Sequence, residues 1–299
     1  MVVIQKPFLK WVGGKTQLLK AIIPKIPDDM ENYHEIFLGG GSVLFAVLSL
    51  KKQNKITIRG KLYAYDINYA LIQVYNDIKY NKDKLYSYID KYINEYNSIE
   101  GDNVNRNPET IEDAITSKES YYYWLRKRYN TLDKKSIERS ALFMIINKTC
   151  FRGMYREGPN GYNVPYGHYK KTPTIIIKNE LDTISELIQD VEFIHSDFTN
   201  SIQKVSDGDF VYLDPPYAPE TSTSFVGYVA GGFTIEQHES LFTSIKSNDN
   251  IKFLMSNAKV ELVIKHFDDK KYSIEEILAR RAINSKNPGS TTTEVMIYN

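Results

Sequence analysis

The chain has 299 residues, 42% of them hydrophobic and 25% charged, with a formal net charge of +1. This excludes a disordered or fibrous protein and allows one large domain or a domain with a sizeable insertion. No apolar run is longer than the six residues of 141–146, too short to cross a bilayer, no basic-then-apolar leader is visible, and the single cysteine, Cys150, excludes a disulfide framework and a cysteine-rich zinc site. In chain order, residues 16–23 predict a short helix after a glycine pair. The apolar run 33–38 reads as a strand entering the tight turn Gly39-Gly40-Gly41, after which Ser42 caps a helix to about Leu50. A second strand, 62–65, ends at Asp66, and 71–78 continues as helix. The succession over 33–78 is that of a parallel sheet with crossover helices.

The texture then changes. Leu85, Tyr88, Ile89, Tyr92, Ile93 and Tyr96 share one helical face and are expected in a core. A polar loop covers 98–108, helices cover 118–131 and 137–147, and 148–171, punctuated by glycines and prolines, reads as a structured loop or hairpin. Short strands return at 191–195, 209–213 and 251–255, with helices near 235–247 and 259–267. Strands 272–278 and 294–298 predict an antiparallel pair joined by the polar loop 284–293. The expected fold is α/β: a mostly parallel sheet with an antiparallel C-terminal hairpin, formed by 1–78 and 176–299 and interrupted by a mostly helical insertion, 79–175.

The near-neutral total conceals a segregation of charge. Residues 118–171 hold 12 Lys or Arg against four acids, a local +8 inside a frame of −7. Such a block is an electrostatic footprint for a polyanion, although a solvated helical face would look the same. Aromatics interleave with these bases, among them Tyr121, Tyr122, Tyr129, Tyr155, Tyr162 and Tyr166, a mixture that favours nucleic acid over a membrane.

Three clusters carry chemistry. In Trp11-Val12-Gly13-Gly14-Lys15-Thr16 the ending imitates a phosphate-binding P-loop, but Leu9 stands where the opening glycine is required. Phe37-Leu38-Gly39-Gly40-Gly41-Ser42 lies between a strand and a helix, yet Leu44 replaces the last glycine of a dinucleotide fingerprint. Glycines there still let a ligand approach the backbone, and Asp66, ending the next strand, is placed either to accept ribose hydroxyls or to cap a helix. The third cluster, Asp214-Pro215-Pro216-Tyr217, ends an apolar strand. Its prolines stiffen the chain so that the Asp214 carboxylate and the Pro215 carbonyl offer a fixed pair of acceptors, which suits an exocyclic amino group, while Tyr217 offers a face for a planar base. The five histidines are scattered, so no metal is expected.

With these motifs the chain resembles the Dam-like, D12-class DNA adenine-N6 methyltransferases. The segment 7–15 resembles that family's N-terminal cofactor motif, 35–41 its glycine loop (with Ile36 where proline is usual), 65–68 its ribose-binding strand end and 195–198 its adenine-binding turn. Residues 147–156 and 162–167 resemble its DNA-recognition hairpin, and 214–217 its catalytic motif. The resemblance implies a Rossmann-like methyltransferase sheet, S-adenosylmethionine as cofactor, and an insertion that recognises the target. It implies catalytic roles for Asp214, Pro215, Pro216 and Tyr217, and cofactor contacts from Trp11, Lys15, Phe37, Gly39, Asp66, Asp197 and Asp214. DNA contacts are expected from Lys10, Asn147, Lys148, Arg152, Met154, Arg156 and Pro165. The expected activity is methylation of adenine N6 in a short double-stranded site, GATC or a relative such as CATG, with the base flipped into the pocket. A cytoplasmic, nucleoid-associated monomer serving as the modification half of a restriction–modification pair is the expected setting. An RNA base amino-methyltransferase, and a DNA-binding regulator on a degenerate methyltransferase fold, are the alternatives.

Overall fold

The computed structural model describes residues 3–219, 232–268, 270–280 and 291–299. Its main elements begin with β1 (Tyr33–Glu35), α1 (Ser42–Lys52), β2 (Leu62–Asp66), α2 (Tyr69–Tyr80), α3 (Lys82–Ser98), α4 (Lys118–Thr131), α5 (Ile137–Thr149) and α6 (Lys178–Leu187). They continue with β3 (Val191–His195), α7 (Phe198–Ile202), β4 (Phe210–Leu213), α8 (Ile235–Lys246), β5 (Lys252–Ala258), α9 (Glu261–Phe267), β6 (Ser273–Arg280) and β7 (Thr291–Tyr298). Two compact units form: Met1–Lys6, Gly13–Asn68 and Asp190–Asn299 make the first, Pro7–Val12 and Tyr69–Gln189 the second.

The first unit holds a seven-stranded sheet in the order β6-β7-β5-β4-β1-β2-β3. The five strands from β3 to β5 are parallel, and β7 runs antiparallel to both β5 and β6. Every residue of β1 and β4 is buried, as expected of strands covered on both faces. Helix α1 is buried continuously from Ser42 to Leu50, which explains its near-unbroken apolar sequence. From β1 the chain builds outward to β2 and β3, then returns to place β4 on the other side of β1. That reversal is the switch point beyond whose strand ends open α/β sheets bind ligands.

The interior of this sheet is partly polar. His34 Nε2 lies 3.0 Å from Asp209 Oδ2 with both side chains fully buried, and Asp209 Oδ1 accepts from the Asn32 backbone and side-chain amides at 3.0 and 2.7 Å. These bonds tie β1 to the start of β4. Strand β1 is three residues long and does not run on to Leu38 as the apolar run suggests. Gly39 and Gly41 adopt φ of +49° and +71°, so the chain leaves the ladder and turns into α1. The C-terminal antiparallel pair is longer than expected, because 291–293 belong to β7. Residues 284–290 of the expected connecting loop lie outside the described residues.

The second unit is mostly helical. Expected boundaries at 78 and 176 both fall inside it, because α2 and α6 each pack on α3, α2 also packs on α5, and α2 and α6 pack on each other. Leu85, Ile89, Tyr92 and Tyr96 supply the buried face of α3, while Tyr88 and Ile93 are half-buried. The interleaved aromatics need correction. Tyr121, Tyr122, Tyr129, Tyr162 and Tyr166 are buried, so these rings make this unit's core and are not stacking platforms. Among the described residues no helix is long and apolar enough to cross a membrane.

Candidate active site and DNA-reading hairpin

Strand β4 ends at Leu213, so Asp214 emerges at the switch point and the two prolines that follow cannot extend the ladder. Lys15 Nζ sits 2.8 Å from Asp214 Oδ2, with side chains 6% and 18% exposed. The same ammonium donates to the Gly13 carbonyl at 2.7 Å and lies 5.0 Å from the centre of the Tyr217 ring. The Gly-Lys-Thr sequence thus delivers its lysine to a carboxylate. Burial pushes the Asp214 carboxyl above the ordinary aspartate range, the Lys15 ammonium pulls it back, and the Glu294 carboxylate pushes it up again.

Two neighbouring strands hold the chain beyond Asp214. The Tyr217 hydroxyl donates to Glu294 Oε2 of β7 at 2.5 Å, and the Ala218 amide donates to Asn257 Oδ1 of β5 at 3.0 Å. At the end of β1, the Glu35 carboxyl accepts the Tyr33 hydroxyl at 2.5 Å. Burial pushes Glu35 up to about 8, and the Asp214 charge adds to the shift.

The other side of the switch point is the glycine turn. Asp66 Oδ2 accepts the Gly39 amide at 2.9 Å and Oδ1 accepts the Asn68 amide at 2.8 Å. Asp66 therefore caps the turn after β2 and also pins the glycine loop. Burial raises its proton affinity and those amide bonds oppose the rise. Half-buried Phe37 and Phe233 and buried Phe198 form a ring cluster, with centroids 5.3 to 6.1 Å apart. Asp197 caps α7 by accepting the Thr199 amide at 2.8 Å and its hydroxyl at 2.7 Å.

Thus Lys15, Asp214 and Tyr217 come together, as do Gly39 and Asp66. Trp11 lies in the second unit, stacked on Phe143 at 6.3 Å and tilted against Tyr155 at 5.8 Å. Three residues escaped the sequence reading as site residues: Glu35, Asn257 and Glu294. Only Glu35 had a local signal, an acid inside an apolar strand beside a glycine turn. Asn257 and Glu294 reach the site through strand pairing alone.

In the second unit, the chain after α5 forms a small hairpin in which Glu157 pairs with Tyr162 and Gly158 with Gly161. At its base Cys150 bridges to Tyr166. Arg156 is exposed and oriented, its Nε donating to Asn163 Oδ1 at 2.6 Å. Arg152 is exposed at a φ of +56°, its guanidinium 5.2 Å from the Phe151 ring centre. Met154 is half-buried and Pro165 exposed. Asn147, expected at DNA, is instead buried. It is 3% exposed, its Oδ1 accepts the Lys10 amide at 2.9 Å and its Nδ2 donates to the Lys10 carbonyl at 2.8 Å. With its amide engaged on both sides, it clamps the Lys10 segment. Lys10 Nζ bonds the Lys148 carbonyl at 3.3 Å and stands 4.1 Å over the Tyr169 ring. The Lys148 ammonium is half-buried, and burial lowers its proton affinity.

A doubly wound sheet with a glycine turn on one side of its switch point and Asp-Pro-Pro-Tyr on the other defines a group-transfer enzyme of the Rossmann-like methyltransferase class. A family model for the D12 class N6 adenine-specific DNA methyltransferases matches residues 11–283, and the chain belongs to that family. It is an adenine-specific DNA methyltransferase. It is 32% identical to the Type II methyltransferase M.MjaIII of Methanocaldococcus jannaschii, over 94% of this chain and 93% of that one. It is also 32% identical to the Type II methyltransferase M1.LlaDCHI of Lactococcus lactis subsp. cremoris, over 98% and 95% of the two chains. It is 29% identical to the DNA adenine methylase of Escherichia coli (strain K12), over 97% and 92% of the two chains.

Proposed function

We propose that this enzyme methylates adenine N6 within a short palindromic duplex site, GATC or a relative such as CATG, using S-adenosylmethionine and extruding the target base into the pocket formed by residues 214–217. The observation that carries this reading is the half-buried Asp214 carboxylate, held by Lys15 beside the Tyr217 ring. The first unit's residues suit the donor: the Asp66-pinned Gly39 turn for a ribose, the Phe37 and Phe198 rings for a nucleoside base, and Lys15 and Asp214 beside the reacting centre. When bound, S-adenosylmethionine supplies an electrophilic methyl group on a sulfonium that departs as a neutral thioether.

The chain's own residues act on adenine. Its N6 lone pair is delocalised into the ring and weakly nucleophilic. Asp214 and the Pro215 carbonyl accept hydrogen bonds from the two N6 hydrogens, which localises that pair on nitrogen, and once N6 carries the methyl group one of those protons is lost to solvent. Lys15 favours the ionised Asp214 against the cost of burial. Tyr217 receives the extruded base and offsets part of the few kcal/mol of unstacking. Holding base and donor in line supplies much of the rate.

Exposed Arg156 is the proposed reader of a guanine, since its fork fits guanine O6 and N7 for about 1–3 kcal/mol of discrimination. Arg152 stands where the family's GATC readers carry asparagine, which leaves the outer base open. Lys10, Lys148 and the other bases of 118–171 are proposed to meet phosphates. The matching relatives named type II methyltransferases support a place beside a cognate endonuclease. Methylation of duplexes varied around the central adenine tests this reading, using wild type, Arg156→Ala and Arg152→Asn. Arg156→Ala is expected to lose discrimination at one guanine. An equal loss on every duplex would make Arg156 a phosphate contact. RNA methylated in preference to duplex DNA would overturn the proposal.

A further inference from the structure

We propose that Glu294 is a positioning residue for catalysis: through its hydrogen bond to the Tyr217 hydroxyl it fixes the plane on which the extruded adenine rests. This rests on the functional reading above. A tyrosine ring after two prolines has a stiff backbone but is free to rotate about its side-chain bonds. Here the ring is held at its hydroxyl and at its face, and the backbone just beyond it is held as well. Glu294 Oε2 takes the hydroxyl at 2.5 Å, Asn257 Oδ1 takes the next residue's amide at 3.0 Å, and the Lys15 ammonium faces the ring at 5.0 Å.

The anchors are rigid because they share the sheet that carries Asp214. Glu294 pairs with Ala258 in the β7–β5 ladder, and Met255 of β5 pairs with Leu213, the residue before Asp214. Two ladders therefore set the spacing between the carboxylate that accepts the amino group and the carboxylate that holds the ring. A side chain whose rotamer is locked by such a bond keeps a stacked base within the narrow geometry that in-line transfer requires. Glu294 itself is half-buried on a strand of threonines and apolar residues, and its other sheet neighbours give it no cation.

The test measures methyl transfer to adenine by Glu294→Ala, Glu294→Gln, Tyr217→Phe and the Glu294→Ala/Tyr217→Phe double variant. A second readout is the emission of a duplex carrying 2-aminopurine at the target adenine. Glu294→Ala and Tyr217→Phe are each expected to lower kcat on the order of tenfold with an unchanged KM for the methyl donor. The double variant is expected to lose no more than either single one, because both remove one bond. Glu294→Gln, which still accepts the hydroxyl, is expected to retain most of kcat. Emission is expected to rise equally in Glu294→Ala and Tyr217→Phe, because a loosened ring quenches the base less. Additive losses, or wild-type kcat and emission in Glu294→Ala, would overturn the inference while leaving the function intact. A wild-type enzyme that leaves adenine unmethylated would instead refute the functional reading.

Discussion

At the scale of single residues, the site is governed by one cation among three carboxyl groups. Burial raises Asp214, Glu294 raises it further, and Lys15 is the group that opposes both. The ionised carboxylate is the form that accepts N6 hydrogens, so activity is expected to rise as pH climbs through the Asp214 pKa and to fall below it. Because that pKa is raised, the acid limb of kcat/KM is expected above the ordinary aspartate range. Removing the cation with Lys15→Met takes away the opposing influence and is expected to move the limb to higher pH, whereas Lys15→Arg is expected to leave it nearly in place. An acid limb that does not move in Lys15→Met would separate Lys15 from the ionisation of Asp214. The sequence marked Lys15 and Asp214 because each sits in a distinctive local motif. It gave no sign that they pair, since 199 positions separate them and only folding brings Nζ within 2.8 Å of Oδ2.

At the scale of elements, the hairpin and its support show what local patterning can reveal. Its glycines and prolines announced a structured turn, and the paired strands Glu157–Gly158 and Gly161–Tyr162 flank Pro159 and Asn160. What the pattern could not reveal was the partner of each side chain. Asn147 was expected at DNA through the family resemblance, yet it closes two bonds on the Lys10 backbone at 2.9 and 2.8 Å. Asn147→Ala would leave those groups without partners, and a loss of about 2 kcal/mol is expected, read as a lower midpoint in urea unfolding. An unchanged midpoint would mean that the clamp contributes nothing to folding. The helix α6 was missed although Leu181, Ile184, Leu187 and Ile188 recur at helical spacing, with Leu181, Ile184 and Ser185 buried. The tyrosines of α4 misled in the opposite direction, because an amphipathic ring reads equally well as a stacking face or as core with its hydroxyl satisfied. Tyr122, for example, is buried and donates to the Val164 carbonyl at 2.8 Å.

At the scale of the whole molecule, the alternation of short apolar strands and helices was enough to predict a parallel sheet with an antiparallel end, because strand burial on both faces leaves a strong mark in sequence. The division into units was less legible. Helix α2 follows β2 directly and reads as its crossover, but it packs with α3, α5 and α6. Local sequence cannot say which neighbour a helix chooses when its apolar face would suit either. In the proposed function Asp214 activates adenine N6, while the basic second unit binds DNA independently of that carboxylate. The direct measurement is mass-spectrometric detection of N6-methyladenine in duplex DNA incubated with S-adenosylmethionine and either wild type or Asp214→Ala, with duplex affinity measured in parallel. The account predicts N6-methyladenine with wild type, none with Asp214→Ala, and affinities within a few-fold of each other. Near wild-type methylation by Asp214→Ala would contradict it.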